Sequence, residues 1–308
     1  MSVLVVGSVA FDSIETPFGS RREVVGGAAT YFALAASYFT QVQVVGAVGT
    51  DFGPEHMSVL ERRGIDLRGL ERLPGRTFRW AGRYSYDLNS RETLDTQLGV
   101  FERFNPRIPG PYSDPGFLFL GNIDPDLQLG VLRQVKRPRL VGCDTMNFWI
   151  EGKLDALKRT LAEVDMLVIN DSEARELAHE PNLVKAAAAI RSMGPRTLIV
   201  KRGEFGAAAF GAESPFAVPA LLLDSVSDPT GAGDSFAGGM MGYLASRSGE
   251  EPHGAMTDAT LRRAIAMGSV MASFTVQSFG VEGLLDLPSS LIDQRYDEFR
   301  RLSHIQEG

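Results

Sequence analysis

The chain has 308 residues, 44% of them apolar, with a formal net charge of −7 and an isoelectric point near 5.3. That length can bury the core of one large α/β domain, and the acidic balance argues against a nucleic-acid partner. Because the single cysteine cannot form an intrachain disulfide, and because neither a membrane span nor a signal peptide is recognisable, we expect a cytoplasmic protein without a membrane partner.

Short apolar runs alternate with helical patterns along most of the chain. In the N-terminal half this predicts strands at 3–6, 42–48 and 117–120, and helices at 28–39 and 54–63. In the C-terminal half it predicts strands at 140–143, 166–169 and 197–200, and helices near 153–162, 172–178 and 184–193. Such alternation is typical of a largely parallel sheet. We therefore expect residues 1–308 to form a single α/β domain.

Two stretches interrupt the alternation, residues 14–25 and about 77–104. In the second stretch, aromatic and polar residues alternate from Thr77 to Tyr86 with a period near two, which suits an exposed or half-buried strand. We interpret both stretches as an accessory β element. An ordinary hairpin and a dimer surface are the alternatives.

A phosphate-binding helix start is predicted at residues 228–234, D-P-T-G-A-G-D, which precede a helical apolar pattern. Gly231, Ala232 and Gly233 leave backbone N–H groups uncovered at the positive end of the helix dipole, where an anion binds. Asp234 would repel a phosphate that was merely held, but it is well placed to accept the proton of a hydroxyl that attacks phosphorus. This combination indicates a small-molecule kinase.

Two common phosphate loops do not account for this segment. The only Gly-Lys pair, Gly152-Lys153, is followed by Leu154, so the Walker loop is absent. The dinucleotide fingerprint would require glycine at Phe236 and usually follows an N-terminal strand. A capped helix with a tight turn remains the alternative.

The D-x-T-G-A-G-D segment resembles the most diagnostic signature of the PfkB, or ribokinase-like, family of carbohydrate and nucleoside kinases. Other segments match that family in order and spacing: 7–12 (GSVAFD), 26–27 (GG), 46–53 (GAVGTDFG), 170–173 (NDSE) and 201–206 (KRGEFG). The resemblance implies a three-layer α/β/α sandwich with a mostly parallel central sheet and a small β-lid formed by about 14–25 and 77–104. In many members the lid strands also pair between subunits, so we expect a homodimer through the lid.

The resemblance also implies an acceptor site at the carboxyl edge of the sheet. There Asp12 would bind two substrate hydroxyls, and the Gly26-Gly27 turn would bring the backbone close to the substrate. A solvated turn aspartate and a plain turn are the alternatives.

The acceptor itself is left open. Ribose-phosphorylating members carry asparagine where this chain has Ala10 and Tyr31, which argues against ribose as the main substrate. Tyr31 and Trp80 are candidates for stacking on a nucleobase or a sugar face, and Asn122 is a further polar candidate. Packing for the aromatics and a cap for Asn122 are the alternatives.

For the donor, the resemblance implies ATP with Mg²⁺. Asn170 and Glu173 match the N-x-x-E motif, whose glutamate helps to place Mg²⁺ through water, and a capped helix is the alternative. Lys201, Gly203 and Gly206 belong to a turn that approaches the triphosphate or its ribose, with phosphate contact by Lys201 left open.

Two further donor-side features come from the resemblance alone. Adenine is expected against the helix around Ala266, Met267 and Val270. Asp228 and Thr230 stand where many members bind a monovalent cation, which raises the hypothesis of K⁺ activation; Thr230 is also expected near the nucleotide.

We therefore expect an ATP-dependent kinase that transfers the γ-phosphate to a hydroxyl of a sugar or sugar-like substrate, with Asp234 as base and Gly231, Ala232 and Gly233 as anion hole. A nucleoside kinase of the adenosine or cytidine type is one alternative. A non-catalytic sugar-binding protein on the same fold is another, although such a protein would not need Asp234.

Overall fold

The computed structural model describes residues 1–211, 213–249 and 256–303. The strands in this part of the chain form two separate sheets. They are β1 (Val3–Val6), β2 (Ala10–Thr16), β3 (Gly19–Gly26), β4 (Val42–Val48), β5 (Asp66–Arg72), β6 (Phe78–Tyr84), β7 (Arg91–Gln97), β8 (Phe117–Leu120), β9 (Leu140–Cys143), β10 (Met166–Asn170), β11 (Thr197–Lys201), β12 (Ala207–Phe210) and β13 (Phe216–Val218).

The helices pack on both faces of the larger sheet. They are α1 (Ala28–Ala36), α2 (Pro54–Glu61), α3 (Pro125–Leu132), α4 (Asn147–Gly152), α5 (Leu154–Leu161), α6 (Asp171–Ala178), α7 (Leu183–Arg191), α8 (Ala232–Arg247), α9 (Asp258–Val276) and α10 (Ser289–Leu302). Within the described ranges, we find no helix with both the length and the apolar character that a bilayer crossing demands.

The larger sheet has nine strands in the order β13-β12-β11-β10-β9-β8-β1-β4-β5. Its strands are parallel from β11 to β5, and only β12 and β13 pair antiparallel. Along β1, Val3 and Val5 enter the core shared with α1, α8 and α9, whereas Leu4 and Val6 enter the core on the other face. Burial on both faces explains why these strands are continuous apolar runs. The predicted three-layer α/β/α architecture with a mostly parallel sheet is confirmed.

The smaller sheet has four strands in the order β3-β2-β6-β7. These strands occupy much of the two stretches that interrupt the α/β alternation, and β7 is exposed along its whole length. Strands β2 and β6 are parallel, and the other pairs are antiparallel. Movement of this sheet as a lid stays a prediction.

Several element boundaries differ from the sequence prediction. The helix predicted near 153–162 is present as α5, but α4 before it was not predicted, and the backbone of Lys153 (φ −140°, ψ 39°) separates the two helices. Its ammonium lies 2.7 Å from Asp124 and 3.0 Å from Asp126, so tertiary ion pairs accompany the break. Strand β5 was not predicted, because its seven residues include four charged ones and lack a clear apolar period.

The carboxyl ends of β8 and β9 are joined through one buried amide. Gln128 of α3 is fully buried, and its Nε2 donates to the carbonyl oxygens of Gly121 and Asp144, both at 2.9 Å. We expect Gln128→Leu to lower the free energy of unfolding by about 1–3 kcal/mol, because two buried carbonyls lose a donor. Urea denaturation followed by tryptophan fluorescence measures this change. The exposed Gln294→Leu is the control, and an equal effect of both substitutions would contradict the assignment.

Candidate active site

Polar side chains gather where the parallel strands end. Asp144 follows β9 directly, and Asn170 and Lys201 are the last residues of β10 and β11, where they pair in register. Because the carboxyl ends of parallel strands meet at one edge, these side chains share one crevice. The start of α8 contributes the other side of this site.

The turn into α8 is shaped by Gly231. Its φ of +73° lies in the left-handed region, and a β-carbon there would lie 2.3 Å from the ring of Tyr31. Within the described residues, no backbone oxygen accepts from the N–H of Gly231 or Gly233, whereas the N–H of Ala232 donates to Pro229 O at 3.2 Å. The anion hole expected from three N–H groups therefore has two open donors, because the tight turn occupies the middle one.

The carboxylate of Asp228 holds this turn through two backbone hydrogen bonds. Its Oδ1 accepts from the N–H of Thr230 and its Oδ2 accepts from the N–H of Gly280, each at 2.8 Å. Asp228 is fully buried, and burial raises its pKa. The loop before α8 is thereby tied to the segment after α9.

Asp234 lies in the first turn of α8, partly open to the crevice. It forms no ion pair within 4 Å with any described residue. Desolvation raises its pKa to about 7, with a further contribution from the charge of Asp144, while Lys201 and Arg91 act in the opposite direction. A carboxyl group with this pKa can exchange a proton near neutral pH.

Asp12 lies within β2 of the smaller sheet, not in a turn after β1. Its Oδ2 accepts from the N–H of Gly27 at 3.3 Å, and a β-carbon on Gly26 would lie 2.0 Å from that oxygen. The glycine pair therefore makes room for the carboxylate of Asp12. Burial raises the pKa of Asp12 to about 7; Gly27 lowers it, and the charges of Asp228 and Asp234 raise it further.

Strand β6 brings two aromatic residues to this side of the smaller sheet. Trp80 pairs in register with Asp12, so both side chains lie on the same face, and Tyr84 lies four residues further on. The hydroxyl of Thr230 donates to Tyr84 Oη at 3.1 Å. The smaller sheet thus contacts the turn into α8 directly.

The two other acceptor candidates have packing roles in this structure. Tyr31 is 1% exposed, its ring supports Gly231, and its hydroxyl has no hydrogen-bond partner among the described residues. Asn122 Oδ1 accepts from the indole N–H of Trp149 at 3.0 Å. Burial of the Tyr31 ring argues against its stacking on a ligand, whereas Asn122 is half-buried and its role towards an acceptor stays a prediction.

Lys201 sits among carboxylates at the mouth of the anion hole. Its Nζ lies 3.5 Å from Asp144 Oδ2 and would be 2.9 Å from a β-carbon on Gly233. Burial alone disfavours the ammonium form, but the charges of Asp144, Glu173 and Asp234 outweigh it and raise the pKa of Lys201. The amine therefore stays charged where phosphate oxygens would lie.

Glu173 both caps α6 and faces this cluster. Its Oε2 accepts from the N–H of Asn170 at 2.9 Å, and Asn170 Oδ1 accepts from the N–H of Glu173 at 2.8 Å. Burial and the charge of Asp144 raise the pKa of Glu173 to about 7, against the effect of Lys201. Glu173 therefore caps α6, as the alternative interpretation of the motif expected, and its raised pKa distinguishes it from an ordinary capping residue.

A cavity of about 420 Å³ opens beside this cluster. Lys201, Gly203, Gly206 and Gly233 line it, as predicted for the donor side. Helix α9 contributes a different face than expected: the cavity is lined by Ser269, Ala272, Ser273 and Val276. Met267 is buried, with its carbonyl against Gly239 of α8. The lining residues follow the i, i+3, i+4, i+7 spacing of one helix face, and Met267 belongs to another face.

The sequence analysis did not identify two residues of the site, Asp144 and Arg91. Asp144 directly follows a predicted strand, and that position was the available signal. Arg91 pairs in register with Tyr84, and its guanidinium lies 5.2 Å from the centre of the Trp80 ring. Its charge lowers the pKa of Asp234. No sequence signal marks Arg91, because only the pairing of β6 with β7 brings it to the site.

Comparisons with known proteins find similarity to small-molecule kinases. The model of the pfkB family of carbohydrate kinases matches residues 140–287. Cytidine kinase from Thermococcus kodakarensis is 28% identical over 257 residues, which cover 82% of this chain and 91% of that protein.

Solved structures extend the likeness over nearly the whole chain. Ribokinase from Giardia lamblia has a TM-score of 0.81 at 16% identity, covering 97% of this chain and 99% of that one. Burkholderia thailandensis nucleoside kinase in complex with ADP-inosine has a TM-score of 0.78 at 19% identity, covering 96% and 95%. The segment that the pfkB family model matches contains the Asp234 turn, and the fold of these kinases is shared over nearly the whole chain.

Proposed function

We propose that this protein transfers the γ-phosphate of ATP to a hydroxyl of a nucleoside. The observation that carries the transfer step is Asp234, an unpaired carboxylate with a pKa near 7 beside the open N–H groups of Gly231 and Gly233. The choice of a nucleoside is supported by Trp80, an aromatic ring on the same face as Asp12, and by the similarity to a cytidine kinase over 82% of the chain. A free sugar is the second candidate, since Asp12 would bind its hydroxyls equally well.

In the proposed reaction, Asp12 holds a hydroxyl of the acceptor and Asp234 faces the hydroxyl that reacts. As the acceptor oxygen forms its bond to the γ-phosphorus, the bond from that phosphorus to the β–γ bridging oxygen breaks and ADP leaves. The hydroxyl proton passes to the carboxylate of Asp234. The N–H groups of Gly231 and Gly233, with the charges of Lys201 and Arg91, stabilise the negative charge on the phosphoryl oxygens.

The residues near the donor site fit Mg²⁺. Burial and the charge of Asp144 raise the pKa of Glu173, and burial raises the pKa of Asp144, so a cation beside these two groups would favour their ionised forms. Glu173 is the residue proposed to hold Mg²⁺ through water. When bound, Mg²⁺ would neutralise part of the charge on the phosphates. K⁺ activation stays a prediction: each oxygen of Asp228 accepts one N–H and keeps a lone pair for a cation beside Thr230.

We also propose that the smaller sheet, with residues 14–25 and 77–104, acts as a lid on a single domain. The contact between Tyr84 and Thr230 supports this, because it joins the smaller sheet to the catalytic turn. Strand β7 supports a homodimer through the lid, since a fully exposed edge strand offers unpaired backbone groups to a second subunit.

The direct test is an ADP-release assay across nucleosides, pentoses and hexoses, with Asp234→Asn as the blank. We expect the active acceptor to be a nucleoside and the substitution to lower kcat at least about 100-fold, because a positioned general base contributes that much or more. Binding of ATP should change little. Near-normal turnover by Asp234→Asn would remove the base assignment.

A melting experiment shows whether the Asp234→Asn protein is folded. Folding raises the pKa of Asp234 from 3.8 to about 7, so ionisation of this group costs the folded state stability as pH rises through that interval. Asparagine removes the cost. The substituted protein should therefore melt at a higher temperature than the parent at pH 8, and the difference should shrink towards pH 4. A lower melting temperature at pH 8 would indicate structural damage.

The pH dependence of catalysis follows from the same group. Asp234 must be ionised to accept a proton, and burial holds its pKa near 7. We expect kcat/KM for the acceptor to rise with pH, about tenfold per pH unit below the pKa, and to level off above about pH 7. Asp12 also has a pKa raised to about 7, so the Asp12→Asn protein is the control. Its kcat/KM should still rise with pH if Asp234 is the titrating group. An activity independent of pH between 5 and 8 would contradict that assignment.

Asp12 is expected to act on the acceptor alone. We expect Asp12→Asn to raise the acceptor KM about tenfold or more and to leave the KM of ATP nearly unchanged, because a hydrogen bond to a charged group is lost. Asp155→Asn, an acidic residue in the first turn of α5, is the matched control. A rise in the KM of ATP alone would move Asp12 out of the acceptor site.

A further inference from the structure

The donor cavity has a polar pair at its rim that the proposed reaction does not use. Glu204 lies in the 3₁₀ turn Gly203–Phe205 after β11, and Asn89 lies in the turn between β6 and β7. Asn89 Nδ2 donates to Glu204 Oε1 at 3.0 Å, and both residues line the cavity. The pair thus joins the smaller sheet to the donor side of the larger one.

The turn that carries Asn89 is held in a defined shape. Asp87 Oδ1 accepts from the hydroxyl of Ser85 at 2.5 Å and from the N–H of Asn89 at 3.1 Å, and the N–H of Ser85 donates to Ser90 O at 2.9 Å. Asp87 and Leu88 line the same cavity. Asn89 is therefore presented to the cavity by a preformed hairpin turn.

The position of Glu204 identifies the part of the donor that it faces. Lys201 and Gly233 mark the end of the cavity proposed for the phosphates, and Leu221, Val226 and Val276 give the cavity an apolar lining. Glu204 is three residues from Lys201, so their Cα atoms are at most about 11 Å apart. A carboxylate would repel phosphates and would gain nothing from the apolar wall. The neutral, hydroxyl-bearing middle of a nucleotide is the part that it can bind.

Carboxylate chemistry supports the same choice. Glu204 is exposed and forms no ion pair within 4 Å with a described residue, and its Oε2 is not taken up by Asn89. A carboxylate accepts from two neighbouring hydroxyls, and an amide next to it can donate to one of them. Acidic residues bind the ribose 2′-hydroxyl in other nucleotide sites by the same chemistry.

We propose that Glu204 and Asn89 bind the ribose diol of the donor nucleotide and select ribonucleotides over 2′-deoxyribonucleotides. This inference rests on the proposed function, because it assumes that the cavity holds ATP. It makes the hairpin of β6 and β7 part of the donor site as well as of the acceptor site. Donor binding would then draw the smaller sheet onto the crevice.

Calorimetric titration with ATP and with 2′-deoxyATP, both with Mg²⁺ and without acceptor, tests the proposal. The unmodified protein should bind ATP about tenfold more tightly or better, as expected for one hydrogen bond to a charged group. Glu204→Ala should reduce the ATP affinity to that for 2′-deoxyATP, so that the ratio falls to about one. Glu204→Gln should keep part of the preference through its remaining oxygen, and Asn89→Ala should lower it partly. Glu61→Gln, an exposed acid on α2, should behave like the parent.

The outcomes separate the two proposals. Equal affinity of the unmodified protein for both nucleotides, or a preference that survives Glu204→Ala, overturns the ribose assignment and leaves the proposed function standing. Absence of ATP binding by the unmodified protein overturns both. A fall in affinity for both nucleotides by the same factor in Glu204→Ala shows that the residue acts on another part of the donor, which also overturns the assignment.

Discussion

The charge balance around Lys201 is the constraint on which the rest of the site depends. Its ammonium lies among Asp144, Glu173 and Asp234 at an edge where water is partly excluded. Burial disfavours the ionised carboxylates, the charge of Asp144 adds to this effect, and the pKa values of Asp234 and Glu173 are raised in consequence. These groups lie close together because the neighbouring parallel strands β9, β10 and β11 end at the same edge of the sheet. Burying these carboxylates lowers the stability of the folded state above neutral pH, and it also makes Asp234 and Glu173 titrate near neutral pH.

The smaller sheet contributes several side chains to the crevice at the edge of the larger sheet. Asp12, which we propose to bind the acceptor, lies in β2, and Tyr84 contacts the turn into α8 through Thr230. Arg91 adds a cation whose charge reaches Asp234, and Asn89 reaches Glu204 on the donor side. One hairpin therefore touches both halves of the crevice. A hinge motion of this hairpin would assemble the acceptor and donor sites together.

The likeness to ribokinase and nucleoside kinase structures reaches nearly the full chain at 20% identity or less, so it speaks to the fold. What distinguishes this chain lies in the crevice. Tyr31, a candidate for stacking on the acceptor, is buried, and a β-carbon on Gly231 would lie 2.3 Å from its ring. Its ring therefore packs against the turn into α8.

The amino-acid sequence by itself determined the α/β architecture and identified candidates for the reacting groups. Buried parallel strands are continuous apolar runs, so β1, β8 and β9 were predicted with their observed bounds, and the Gly-rich turn before α8 identified the proposed phosphate site. These features are local, because a few neighbouring residues specify each of them. Helix ends and the charged strand β5 were less predictable, since ion pairs and neighbouring strands decide them.

Tertiary structure alone decided which distant residues meet. Arg91 lies in a strand without an apolar pattern and reaches Asp234 only because β7 pairs with β6. Met267 was expected at the donor site, but packing of α9 against α8 turned it inward and presented Ser269 and Ser273 instead. Asn89 and Glu204 are 115 positions apart in the chain. A hydrogen bond or a pKa shift depends on distance in space, and the order of residues along the chain does not contain that distance.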